Sequence, residues 1–145
     1  MSDAGLVDTA VMEVLANDAA LTALCPGGVF YGVAPQRAAN NTAWVRVTLF
    51  DSSAEPALAG DTLYEQFVYV ITAVILDASK TPGRLAAARI HALLHGAVLD
   101  LSAAGYVAMT CRRERRIAYP EIDPVNAATW RHTGGQYVVM SYPTS

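Results

Sequence analysis

At 145 residues with a formal net charge of −3, the chain has the length of one domain with a single buried core, and its acidic balance argues against a generic nucleic-acid binder. Hydrophobic residues make up 53% and charged residues 16%, against roughly 25% charged in an average domain, so either both faces of a sheet are covered or apolar surface meets another subunit. No apolar run reaches the ~18 residues of a membrane span, and the opening segment, with Asp3, Asp8, Glu13 and Asp18 and no basic stretch, does not read as a secretory signal.

In chain order, Leu6 to Ala16 reads as a helix, with Val7, Val11, Val14 and Leu15 on one face and Ser2 or Asp3 as its cap. Asp18 caps a short second helical turn from Ala19 to Leu24, stopped by Pro26-Gly27-Gly28. Val29 to Val33 is a short strand, Gln36 to Thr42 a polar turn, and Trp44 to Phe50 a half-buried strand that alternates Val45, Val47 and Leu49 with Arg46 and Thr48. Asp51 to Asp61 reads as a loop.

Thr62 to Leu76 is rich in β-branched and aromatic residues and is expected to be a strand, far longer than the usual roughly 5–6 residues. From Phe67 onward both alternating sets are apolar, which implies cover on both faces. Glu65 and Gln66 are polar, so the start of this strand is expected to project with its partner as a hairpin arm. Thr81-Pro82 opens a long helix, with Thr81 as cap, Ala86, Ile90, Leu93, Leu94 and Ala97 as its buried stripe, and Arg84, His91 and His95 on the opposite face. Tyr106 to Ile117 is a strand, Tyr119 to Ala128 a loop around Pro120 and Pro124, and Thr129 to Tyr142 a last strand with a bulge or kink at Gly134-Gly135. The expected architecture is a single α+β domain spanning residues 1–145, a mostly antiparallel sheet flanked by helices, with a long projecting β-hairpin arm.

The sequence offers little chemistry. His91 and His95 have zinc-ligand spacing on a helix, but Ala92 stands where a metalloprotease needs its glutamate and no third ligand is near, so two solvated imidazoles are the better reading. No glycine cluster fits a phosphate loop, and no serine sits in a nucleophile elbow. Cys25 and Cys111 lack CxxC spacing and read as small buried residues in a reducing compartment, although a Cys-His pair is formally open. Glu121 and Asp123 read as surface or interface charges before acid–base or metal-binding carboxylates. No catalytic residue, metal site or cofactor is expected. The sharpest feature is Arg112-Arg113-Glu114-Arg115-Arg116 on a strand, where regular alternation puts Arg112, Glu114 and Arg116 on one face and Arg113 and Arg115 on the other. Such a cluster suits an interface with acidic groups of a neighbouring subunit, ahead of a phosphate backbone, because no aromatic residues interleave it. The alternative is a solvated strand end that blocks edge pairing.

Taken together, Asp18–Leu24 after a first helix, Val29–Pro35, Trp44–Val47, the helix Gly83–Leu99, Tyr119–Asp123 and His132-x-Gly134-Gly135-x-Tyr137-x-Val139 resemble, in order and spacing, the tail-terminator or tail-completion proteins of long-tailed bacteriophages. The resemblance implies a structural virion protein, not an enzyme. It implies a homo-oligomeric ring, typically of six copies, at the head-proximal end of the tail tube, assembled in the host cytoplasm. Such a ring ends tube polymerisation, meets the tail tube protein and a connector or stopper protein, and leaves a channel for DNA without sequence-specific binding or any membrane contact. A ring needs one patch to meet a different patch of the next copy. The candidate subunit contacts are Tyr64, Phe67 and Tyr69 on the arm with Arg112, Arg113, Arg115 and Arg116; the candidate axial contacts are Glu55 and Asp61 in one loop and Tyr119, Glu121 and Asp123 in another. The competing readings are another head–tail component, a stopper or adaptor, and a small α+β ligand-binding domain.

Overall fold

The computed structural model describes residues 3–32, 42–56, 62–77, 79–125 and 127–144. Helix α1 (Ala4–Ala16) starts where the Asp3 carboxylate accepts the Gly5 N–H at 3.0 Å, and buries Val7, Val11 and Leu15, one residue per turn. Helix α2 (Ala19–Leu24) is capped by Asp18, which accepts the Leu21 N–H at 2.9 Å, and it ends at Cys25, the residue that Pro26 holds out of helical geometry. Both sequence-derived helices are present, with Asp3 rather than Ser2 as the first cap.

Five strands form one sheet in the order β1-β2-β3-β5-β4. The short β1 (Val29–Tyr31) runs parallel to β2 (Ala43–Pro56), and all other pairs are antiparallel. The α+β class and the mostly antiparallel sheet follow the sequence. Residues 51–56, expected to be loop, instead continue β2 beyond a register shift at Phe50, because β3 (Thr62–Leu76) supplies hydrogen-bond partners as far as Thr62. β3 is paired on both sides from Glu65 to Leu76, so most of it is an interior strand; only Thr62–Tyr64 reach beyond the β5 pairing.

Helix α3 (Thr81–Leu94) carries Thr81 as its first helical residue. Lys80 occupies the capping position without a side-chain bond, so Thr81 is not the cap, and Pro82 lies in the first turn, where its missing N–H costs nothing. α3 buries Gly83, Ala86, Ile90 and Leu94. At Gly83 a Cβ would lie 2.8 Å from Thr133 Oγ1, so glycine lets the helix approach β5 (Ala128–Pro143) closely. After a 3-10 turn, η1 (Ser102–Ala104), comes β4 (Tyr106–Asp123), which runs through the Tyr119–Asp123 segment expected to be loop. Pro120 is tolerated there because β4 is an edge strand.

The core lies between the helices and one face of the sheet. β3 contributes Phe67, Tyr69, Ile71, Ala73 and Ile75, β2 contributes Val45 and Val47, and β5 contributes Tyr137 and Val139. The buried Tyr69 hydroxyl donates to Asp8 of α1 at 2.5 Å; burial first, then that carboxylate, pushes its pKa up. The residues that read as apolar on both faces of β3 are explained by the opposite face: Val74 is buried there beneath Trp44 and Trp130, whose rings reach from β2 and β5 to meet 5.0 Å apart.

Candidate assembly interface

The arginine run lies on β4, an edge strand with one side unpaired. Its geometry departs from simple alternation. A β-bulge at Glu114 shifts the register between Arg113 and Arg115, so Arg113 pairs with Tyr137 and Arg115 with Gln136. The extra residue changes the parity of everything after it. Arg112 and Arg115 therefore share the face without helices, and Arg113 and Arg116 share the helix face. Arg112 lies 3.6 Å from Glu114; Arg115 and Arg116 are exposed and have no ion-pair partner among the described residues. Arg112, Arg113, Glu114 and Arg115 line a shallow, open hollow at the bulge.

On the helix face the arginines meet α3. The Arg113 N–H donates to His95 Nδ1 at 3.0 Å, the His95 ring stacks on His91 at 4.5 Å, and the Tyr137 hydroxyl lies 3.5 Å from His91 Nδ1. The two histidines thus face β4 and β5, with His91 half-buried and His95 still exposed to solvent. Partial burial, then Arg113, His95 and Arg116, lower the His91 pKa, so this corner holds its positive charge on guanidinium groups. Gly135 makes room for it: a Cβ there would lie 2.7 Å from Arg113 Cδ.

The Tyr119–Asp123 residues are drawn into a second cluster on the helix-free face. Tyr119 stacks on His132 at 4.5 Å, nearly parallel, and Arg46 Nη2 donates to the Tyr119 hydroxyl at 3.3 Å across the intervening strands. His132 Nε2 donates to Glu121 Oε2 at 2.7 Å. Asp123 Oδ1 accepts the Val125 N–H at 2.9 Å and closes the β4–β5 turn. Beneath these side chains His132 and Thr72 are buried, and His132 Nδ1, Thr72 Oγ1 and Arg46 Nε have no hydrogen-bond partner among the described residues. Sequence reasoning missed Arg46, Thr72, Trp44, Trp130 and His132, which meet only through strand order. Alternation did place Arg46 on the face opposite Val45 and Val47.

Two other candidates change role. Phe67 and Tyr69 are 1% and 0% exposed within the core, which leaves them no surface for a neighbouring subunit. Tyr64 is half-buried in β3, opposite Glu55. The Glu55 side chain and all of Asp61 lie outside the described residues.

The two ends of the sheet differ. At one, the β4–β5 turn carries Ile122 and Val125, 68% and 88% exposed, on two residue pairs beyond the last β3 partner. At the other, η1 packs beside the start of α1, where the Asp3 N–H donates to the Ala104 carbonyl at 2.7 Å. There Leu6, Ala10, Glu13, Val14, Asp100 and Leu101 are among the residues that line a groove.

No group of three or more metal-binding side chains occurs among the described residues, and no described helix is long and apolar enough to cross a membrane. Burial pushes the Cys25 and Cys111 thiols up to about 11 and about 12, away from nucleophilic use. No curated protein is matched by the sequence. Among solved structures, a chain from the virion of a native gene transfer agent (GTA) particle is similar over 95% of this chain and 96% of that one, with a TM-score of 0.73 and 21% identity, a likeness of fold. The family model for tail completion protein gp17 matches residues 9–130, from the second turn of α1 into the start of β5. The chain therefore belongs to the tail completion protein gp17 family and is a structural tail component.

Proposed function

We propose that the chain forms a ring, of six copies, that caps the head-proximal end of a tail tube, halts its growth, and presents a joining surface to a connector or stopper protein while DNA passes through the centre. Termination requires a subunit with two unlike ends, one that docks on the tube and one that refuses a further tube subunit. The observation that carries this reading is the difference between the ends of the sheet: at one, an exposed apolar turn with Ile122 and Val125 extends past the last β3 partner, and at the other η1 packs beside the start of α1, with the Asp3 N–H bonded to the Ala104 carbonyl. A cluster of arginines on an edge strand, away from both, leaves a lateral surface for the next copy.

The test is the mass of the purified protein across concentration, with negative-stain images alone and after addition of tail tube protein. Rings with an open pore, and tubes capped at one end, are expected. A monomer at every concentration that leaves tube length unchanged overturns the reading. Rings that bind a connector but never a tube end point instead to a stopper or adaptor.

A further inference from the structure

We propose that the lateral contact of the ring is made by the β4 arginines of one copy entering the η1–α1 groove of the next; this rests on the ring reading above. Four of the chain's ten Lys and Arg residues lie between Arg112 and Arg116. Of these, Arg115 and Arg116 are exposed and have no ion-pair partner among the described residues. A folded chain of net charge −3 that gathers unneutralised guanidinium groups on one open edge has a surface suited to carboxylates.

The same molecule carries a groove of the matching chemistry. Its lining includes the exposed carboxylates Glu13 and Asp100 and the apolar Leu6, Ala10 and Val14. Glu13 has no cation beside it among the described residues. Asp100 accepts the Ser102 N–H and hydroxyl, which hold its pKa low and keep it ionised. An arginine fits such a place, since its aliphatic stem lies along apolar side chains while the guanidinium reaches the carboxylates. Leu6, 41% exposed, supplies apolar surface for the stem.

Position decides between a second copy and other occupants. The groove runs along α1 from Leu6 to Asn17 beside η1, and the arginines lie midway along β4, so the contact joins two different patches. Repeated head to tail, such a contact is heterologous, the kind that closes a ring. The Glu114 bulge also divides the arginines between two faces, so they do not form one strip that tracks a phosphate backbone. Backbone pairing along the β4 edge is interrupted by the same bulge and by a second at Met109, which favours side-chain contact over strand addition.

Charge reversal tests the pairing. One variant carries Arg115→Glu and Arg116→Glu, making both patches acidic; the other carries Glu13→Arg and Asp100→Asn, making both basic. All four side chains are exposed, and circular dichroism confirms that each variant is folded before assembly is measured. Each variant alone is expected to need a concentration at least about tenfold higher than wild type to form rings, as expected when a close charge pair is opposed. An equimolar mixture is expected to assemble again, with the two variants alternating around the ring. Rings from both variants alone at wild-type concentration, or no recovery on mixing, overturn the pairing while leaving the ring reading intact. Undiminished rings from the Arg115→Glu, Arg116→Glu variant together with lost, salt-sensitive binding of duplex DNA assign the arginines to nucleic acid and overturn it as well. A wild-type chain that makes no ring, with or without tail tube, overturns the ring reading and this pairing with it.

Discussion

Asp18 illustrates how much one side chain holds together. It caps α2 and receives two hydrogen bonds from the Arg89 guanidinium on α3, at 2.8 and 2.5 Å, so it ties the helical layer across a sequence separation of 71 residues. The Arg89 hydrogen bonds, then the Leu21 N–H, lower its pKa from 3.8 to about 2. A carboxylate with a depressed folded pKa contributes stability that is fully present above its unfolded value and is lost as pH falls through the folded one. Urea unfolding is therefore expected to show stability falling as pH drops from about 4 to about 2, and the Asp18→Asn variant to show a smaller fall over that window. The cysteines give a second test at this scale. With both thiols buried and their pKa values raised to about 11 and about 12, the native protein is expected to leave a thiol reagent unreacted at neutral pH and to release two equivalents on unfolding. Rapid labelling of the native chain would show that Cys25 or Cys111 is open to solvent.

Among elements, the β4–β5 pair shows where sequence reading reaches and where it stops. The glycine pair reads in sequence as a bulge or kink, but β5 passes through it in unbroken register with β3 and β4, and the reason for glycine is steric. A Cβ at Gly134 would lie 1.9 Å from the Ile71 carbonyl oxygen and 2.8 Å from Thr72 Cα, so Gly134→Ala is expected to destabilise the fold by about 3 kcal/mol, read from its denaturant midpoint. A wild-type midpoint would mean that β3 and β5 have room to separate. The short helices were legible because Asp3 and Asp18 stand at their starts, and β3 because its composition admits little else. The Tyr119–Asp123 segment was not, since Pro120 and Pro124 signal a turn locally, whereas the strand continues because β5 supplies partners down to Ala128. The faces of Arg115 and Arg116 were also hidden, because one bulged residue reverses the parity of those that follow and nothing local marks Glu114 as the extra one. Removing Glu114 is accordingly expected to keep a folded chain with Tyr119 still on His132. Removing Ala118, beyond the bulge, inverts Tyr119 and Glu121 and is expected to lower the melting temperature far more. Equal losses in the two deletions would speak against this register.

For the whole molecule, most of the fold was legible and much of the candidate interface was not, since the core depends on periodicity within elements and the surface clusters depend on which strands become neighbours. Phe67 and Tyr69 show the difference: aromatic residues on a long strand are as consistent with a projecting arm as with an interior strand, and only the pairing of β3 with both β2 and β5 decides. At this scale the exposed turn is expected to be separable from the fold. Ile122→Asp with Val125→Asp, both on exposed positions, is expected to leave the melting temperature within about 2 °C of wild type, as for surface substitutions away from the core. The same variant is expected to fail in joining to its axial neighbour when particles are assembled in vitro. Normal joining by the double variant would assign the axial contact to other residues.

The two borders of the sheet are guarded in different ways. β1 offers only three residues, Val29–Tyr31, and past Val47 β2 itself forms that border, while the border formed by β4 is eighteen residues long but is broken twice by bulges and studded with arginines. A long, flat, uncharged border would recruit copies of itself in the crowded cell and yield fibrils before any tail existed. The bent, charged border of β4 closes that route, leaving side chains rather than backbone to choose what the chain meets.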